Sequence, residues 1–430
     1  MKFTAAGDMI IQRRIQKDFE GFSELTPFIL EGDASFFNLE TTLNHEGECP
    51  SSQLSGGTYI RTNPEVLDDI KQFGFNMTSF NNNHALDFSS EGLIRTLDAL
   101  NKSGLVHAGV GRNLAEASAP KYLETKNGRV ALISVNTTFD EYMLAGEQTP
   151  RVLGRPGING LRTETVVVVE KEDIESIRKI AAKTGTNAYN DIIRKEGYLT
   201  ELPENVAELG KMRFVAGDKP CCKVTLNSHD MERIEKSIDE AAFQADYVII
   251  SVHSHELSGT SKETPAEFLK EFAHRCIDAG ANAVIGHGPH LLRPIEIYKD
   301  SPIFYSLGDF ALQLYNVELA PQEFFEKYGL NAATTTVHEL LKVRSKDFTR
   351  GLMEDRRMFL SVIPLWEAEN GKLKFLRLMP IEAMMKGNKS EIGLPRRSDG
   401  KDIAEYLGEM CKPYGTKIVL EDDGILTVTW

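Results

Sequence analysis

Residues 283–290 read Ala283-Val284-Ile285-Gly286-His287-Gly288-Pro289-His290. A short apolar, β-branched run gives way at once to two histidines on a Gly/Pro turn. A run apolar enough to be buried on both faces belongs in the interior of a parallel sheet. Two imidazoles on a tight turn directly after such a strand have little packing purpose, and they suit metal binding.

The same pattern recurs on both sides of this turn. Residues 2–6 read as an opening strand with Asp8 just beyond it, and residues 35–39 as a second strand ending in Glu40. Residues 75–80 look extended and are followed by Asn81-Asn82-Asn83-His84, while the buried run 247–252 ends in His253. Residues 129–135 and 303–306 are further strands. Helical patterns lie between them, at 64–73, 91–103, 171–183, 231–243 and 324–341. Thr264-Pro265-Ala266-Glu267 supplies an N-cap, a first-turn proline and a capping-box carboxylate for one more helix, with Phe268, Phe272, Cys276 and Ile277 as its apolar stripe. Strands alternating with helices define an α/β chain. Ligands of such sheets bind outside the carboxyl ends of the strands, so Asp8, Glu40, Asn83, His84, His253, His287 and His290 are placed to converge. Together they make a mixed oxygen and nitrogen set suited to Mn, Fe, Zn or Co.

Each residue also has an ordinary reading. An Asp after a strand caps a turn or helix, and the Asn81–Asn83 run suits left-handed backbone. His253 and His255, two apart on a strand, point to one side, or one is buried and the other solvated. Arg151, Arg155 and Arg162 flank a Gly/Pro-rich segment and Arg293 follows the His290 turn. Arginine forks hold carboxylate or phosphate, so Arg155 and Arg293 are candidates for gripping an anionic substrate.

The 430 residues carry 63 acids against 49 bases, a net charge of -14, which disfavours nucleic acid and anionic membrane as partners. The longest apolar runs fall far short of a membrane span, the first residues carry no signal-peptide core, and five cysteines show no disulfide framework. A cytoplasmic protein is expected. Asn370-Gly371 marks a hairpin between residues 359–366 and 372–380. The expected organisation is a core over 1–320, with 140–230 as an insertion and possible lid. A helical and β-hairpin extension over 321–430 then packs on that core.

Gly7-Asp8-Met9, Phe37-Asn38-Leu39-Glu40, Asn82-Asn83-His84-Ala85-Leu86-Asp87, Val252-His253 and Gly286-His287-Gly288-Pro289-His290 occur in this order. The series resembles the motifs of the poly-γ-glutamate capsule synthesis (CapA-type) family, a branch of the calcineurin-like metallophosphoesterases. Tyr305-Ser306-Leu307-Gly308-Asp309-Phe310 is similar to that family's later motif, which usually ends Gly-Asn-Phe. The resemblance implies a four-layer α/β/β/α sandwich with C-terminal β additions and two divalent transition metals, manganese among the candidates. Glu40 would bridge the two ions, with Asp8 and His290 on one and Asn83, His253 and His287 on the other. His84 would be the acid that meets the substrate, and Asp87 would orient it. Asp8-Met9-Ile10 lacks the superfamily's usual second-ligand histidine, so one ion is expected to be held more loosely. His255 is free to replace that ligand, to bind substrate, or simply to be exposed. The implied activity is hydrolysis of a small anionic phosphoester or a γ-glutamyl or peptide bond. The alternatives are Cα epimerisation of a peptide and a non-catalytic role in polymer synthesis or export.

Overall fold

The computed structural model describes residues 1–53, 55 and 57–430. It divides into two compact units, Met1–Gly160 with Glu232–Trp430, and Leu161–Met231. The smaller unit is a four-stranded sheet, in the order Val206–Leu209, Met212–Ala216, Thr163–Val169 and Cys221–Leu226, with the helix Lys171–Thr184 against it. It begins at Leu161, so residues 140–160 of the expected insertion belong to the larger unit.

Two large sheets form the core of the larger unit. The first has ten strands, with Lys2–Ile10 flanked in parallel by Ala34–Leu39 and, near its end, by Asp309–Leu312. Met77–Ser79 and Val106–Ala108 continue the parallel half, and the hairpin Leu360–Glu369/Lys372–Ala383 joins antiparallel on the other side. That hairpin turns at Asn370 and Gly371, whose φ values of 52° and 75° are those of a type I′ turn. The second sheet has six strands, with Gly128–Asn136, Tyr247–His253, Ala283–His287 and Ser301–Phe304 parallel at its centre.

The sheets meet face to face. Phe3, Ala5, Ala34, Phe36 and Met77 of the first share one core with Val130, Leu132, Tyr247, Ile249, Ala283 and Ile285 of the second. Phe3 stacks on Tyr247 at 4.0 Å between ring centroids, and Trp366 donates its Nε1–H to the Tyr247 hydroxyl at 2.9 Å. The opposite face of the first sheet presents Ala6, Phe37 and Leu39 to Leu25, Ile29, Ile70, Leu93 and Leu97 of the helices Glu20–Ile29, Val66–Lys71 and Ser89–Ser103. On the second sheet the helix Glu267–Asp278 lies against Ala283–His287, and Arg275 ties it to Glu235 of the helix Ser228–Gln244. The four layers implied by the resemblance are therefore present: helices, sheet, sheet, helices.

Three local expectations are corrected. Thr264 and Pro265 do not cap the following helix. Pro265 is held extended by a β-bridge to Leu257, the helix starts at Glu267, and the Glu267 amide is satisfied by the Ser258 hydroxyl at 3.2 Å. The stretch 324–341 is not one helix. Gln322–Lys327 stops before Gly329 (φ 69°), and Val337–Arg344 restarts behind a capping box of Thr336 and Glu339. The opening strand runs through Ile10 rather than stopping at residue 6. No helix among the described residues is long and apolar enough to cross a membrane.

Candidate metal centre

Strand alternation sends Phe3 and Ala5 toward the second sheet and Ala6 toward the helices, which would turn Asp8 to the helix side as well. The register against Ala34–Leu39 slips between Ala5 and Asp8. The extra residue reverses the phase, and the Asp8 carboxylate faces the second sheet, where its Oδ2 accepts the Gly288 N–H at 2.7 Å. Gly7 makes the slip possible, because a Cβ there would stand 1.7 Å from the Gly308 carbonyl oxygen. Across the seam His253 and His287 are register partners at the ends of their strands. Gly288, at φ 117°, lets the chain turn so that its amide reaches Asp8.

These ends bring the expected residues together. His287 Nδ1 lies 3.5 Å and His253 Nδ1 3.9 Å from Asp8 Oδ1. His290 Nδ1 is 4.0 Å from Asp8 Oδ2 and 3.0 Å from Asp309 Oδ1. Around Glu40 Oε1 stand His253 Nε2 at 3.9 Å and His84 Nε2 and His290 Nε2, both at 4.0 Å. Asn83 Oδ1 is 2.8 Å and His255 Nε2 3.0 Å from His253 Nε2. Asp8, His253 and His287 form one group able to hold an ion; Glu40, His253 and His255 form a second, and Asp8, His290 and Asp309 a third.

The donors fit a cation. Glu40 is fully buried, and neither of its side-chain oxygens has a hydrogen bond among the described residues; nor does Asp309 Oδ2. Orphaned buried carboxylate oxygens are costly unless a cation takes them up. Gaps of 3.5–4.0 Å between Asp8 or Glu40 oxygens and imidazole nitrogens are too long for hydrogen bonds, and two ligands of one ion stand about 3–4 Å apart. Burial, followed by the Asp309 charge, pushes Asp8 up to about 7. Burial and the Asp8 and Asp309 charges push Glu40 well up too. Burial pushes His253 and His255 well down and His287 to about 3, so all three are neutral, the form that ligates. Burial also opposes charge on His290, but the charge and hydrogen bond of Asp309 outweigh it and hold His290 above its ordinary value.

His84 and Asp87 form a separate pair. Asp87 Oδ2 lies 2.8 Å from His84 Nδ1 and also accepts the Ile60 N–H at 2.8 Å. Asn82 braces the turn, accepting the His84 N–H at 3.1 Å and donating to the Leu39 carbonyl at 2.8 Å. His84 Nε2 is left facing Glu40.

The two arginines both donate to backbone carbonyls. Arg293 is fully buried and spends its guanidinium on backbone carbonyls, Lys262 at 2.9 Å and Ser254 and His255 both at 3.3 Å. It braces the loop that carries His255. Arg155 is exposed, and its Nε donates to the Leu144 carbonyl at 3.0 Å. Asp309 is the residue that sequence reasoning passed over. Its signal was the Gly308-Asp309-Phe310 segment, which has Asp where the resembled motif has Asn.

A fold of stacked sheets with a cluster of acids and imidazoles at the strand ends defines a metallophosphoesterase-like protein. The chain belongs to the bacterial capsule synthesis protein family PGA_cap, which it matches over residues 2–313. An uncharacterized protein of Sinorhizobium fredii is 34% identical over 431 residues, covering 97% of this chain and 91% of that protein. The PGA biosynthesis protein CapA of Bacillus subtilis is 23% identical, covering 86% of this chain and 80% of its own length. A probable polyglutamine synthesis accessory protein of Mycobacterium tuberculosis is 25% identical, covering 92% of this chain and 77% of its own.

Proposed function

We propose that the protein is a metal-dependent hydrolase acting on a small anionic phosphoester or on a γ-glutamyl or other peptide bond. The observation that carries this is Glu40, a buried carboxylate without a hydrogen bond among the described residues, ringed by three imidazoles at 3.9–4.0 Å. Asp8, Asp309 and His290 would hold an ion on one side of it and Asn83, His253 and His255 one on the other, with His287 beside Asp8. Two divalent ions there would supply an activated water and a clamp on the electrophile. His84 is then the acid–base residue. Asp87 fixes its Nδ1, so a proton carried at Nε2 is aimed into the site and can pass to the leaving oxygen or nitrogen.

The Bacillus subtilis and Mycobacterium tuberculosis relatives, named for PGA biosynthesis and polyglutamine synthesis, support a peptide-type substrate. The word "accessory" in the second name favours another reading, a non-catalytic part in polymer synthesis. The test is a screen of the Mn-loaded protein against phosphomonoesters, phosphodiesters and γ-glutamyl and ordinary peptides in heavy water. Bond cleavage is the expected result. Deuterium at Cα without scission would replace hydrolysis by epimerisation, and no turnover with metal bound would leave the accessory role.

A further inference from the structure

Above His84, His255 and His290 lies a cavity of about 130 Å³. Its polar floor is the candidate centre, and apart from Thr58 and Arg344 its walls are apolar, with Ile10, Leu314, Val317, Leu341 and Leu352 among them. A space of this size in an apolar lining accepts a group as large as benzene, whereas a carboxylate inserted among those side chains would be desolvated without a partner. Among the described residues, the one arginine or lysine in the lining is Arg344, half-buried at the last residue of the helix Val337–Arg344. Among the described residues no carboxylate lies within salt-bridge distance of its guanidinium. Arg344 and Leu352 also line a neighbouring groove of about 650 Å³, where Lys262 and Arg356 stand beside the carboxylates of Glu354 and Asp355.

We propose that the substrate is an amphiphile. Its aliphatic or aromatic side chain fills this cavity, and a carboxylate beside that side chain is held by Arg344. A peptide ending in an apolar residue has this chemistry; a segment bearing a carboxylate on every side chain does not. The inference rests on the reading above only for what reacts at the cavity floor.

The test is calorimetric binding of three probes to the Mn-loaded full chain: N-acetyl-L-leucine, N-acetyl-L-glutamate and N-acetyl-L-leucinamide. N-acetyl-leucine should bind about tenfold or more tightly than either of the others, the scale of one charge-assisted hydrogen bond or one buried aliphatic side chain. In Arg344→Gln the acid-over-amide ratio should fall to about one. In Leu352→Asp the leucine-over-glutamate ratio should collapse, with manganese content per chain confirming that the variant is folded. Equal binding of leucine and glutamate probes, binding of none, or an acid preference that survives Arg344→Gln would each overturn the proposal. The two readings fail separately: probe selectivity without turnover removes hydrolysis and leaves the amphiphile, and turnover without selectivity does the reverse.

Discussion

Glu40 and His84 face each other across 4.0 Å but are built for different work. Glu40 has no hydrogen bond to lose among the described residues, so its charge is its contribution; Glu40→Gln keeps the shape and removes the charge. That variant should purify with less than one divalent ion per chain by elemental analysis, and a full complement would remove Glu40 from the ligand set. His84 is held from behind by Asp87 and should be dispensable for holding metal. His84→Ala is expected to keep its metal while turnover drops by about 10²–10⁴, the range of a lost general acid. Metal leaving with the imidazole would make His84 a ligand instead. Most of this site was legible residue by residue, because polar side chains directly after buried runs have few structural reasons to be there. Asp309 was not, since an Asp in the place of an Asn reads as a departure until Asp8 and His290 are seen beside it. Nor was the burial of Arg293. An arginine three residues past His290 reads as a grip for an anionic substrate, and only the folded loop shows three carbonyls taking up its guanidinium.

At the scale of elements, strands were easier to read than helix ends. The buried runs at 247–252 and 283–285 stand out by composition alone, and the Asn370-Gly371 turn announces its hairpin. The Thr264-Pro265 signal failed because a bridge to Leu257, within the same connection, competes for the same backbone, and no capping pattern reports such a partner. The register slip at Gly7 was equally hidden, since it exists only relative to the neighbouring strand. Arg293 gives this scale its test. Arg293→Met retains the bulk and abandons the carbonyls of Ser254, His255 and Lys262. It should lower unfolding free energy by about 3 kcal/mol or more in urea titration, since each abandoned buried carbonyl costs about 1–3 kcal/mol. A loss under 0.5 kcal/mol, the scale of an ordinary surface change, would show that the loop carries itself.

For the whole molecule, the seam between sheets concentrates ionisable groups and buries Asp8, Glu40, His253 and His287 away from bulk solvent. Asp8 is pushed from 3.8 up to about 7, first by burial and then by Asp309. A carboxyl raised in this way stabilises the metal-free fold below its ordinary value, and that contribution is lost as pH climbs through about 7. Cation binding needs the ionised form, so its stabilisation grows over the same interval, while His287, held down to about 3 by burial, brings no competing proton. Saturating Mn²⁺ should therefore raise Tm more at pH 8 than at pH 5 in calorimetry. An equal or reversed shift would mean that these carboxylates are not the metal's ligands.

The hydrogen bond from Gly288 to Asp8 joins residues 280 apart in the chain. Its ends belong to different sheets, so neither sheet alone offers a cation more than a fragment of its shell. During synthesis the first sheet's early strands emerge with Asp8 and Glu40 exposed to solvent, each a weak lone carboxylate. Tight capture must wait until the second sheet has closed and Asp309 has been laid beside the opening strand. Bound metal would thus report that synthesis and assembly have passed Asp309, and a product stalled or truncated before that residue would pass unloaded.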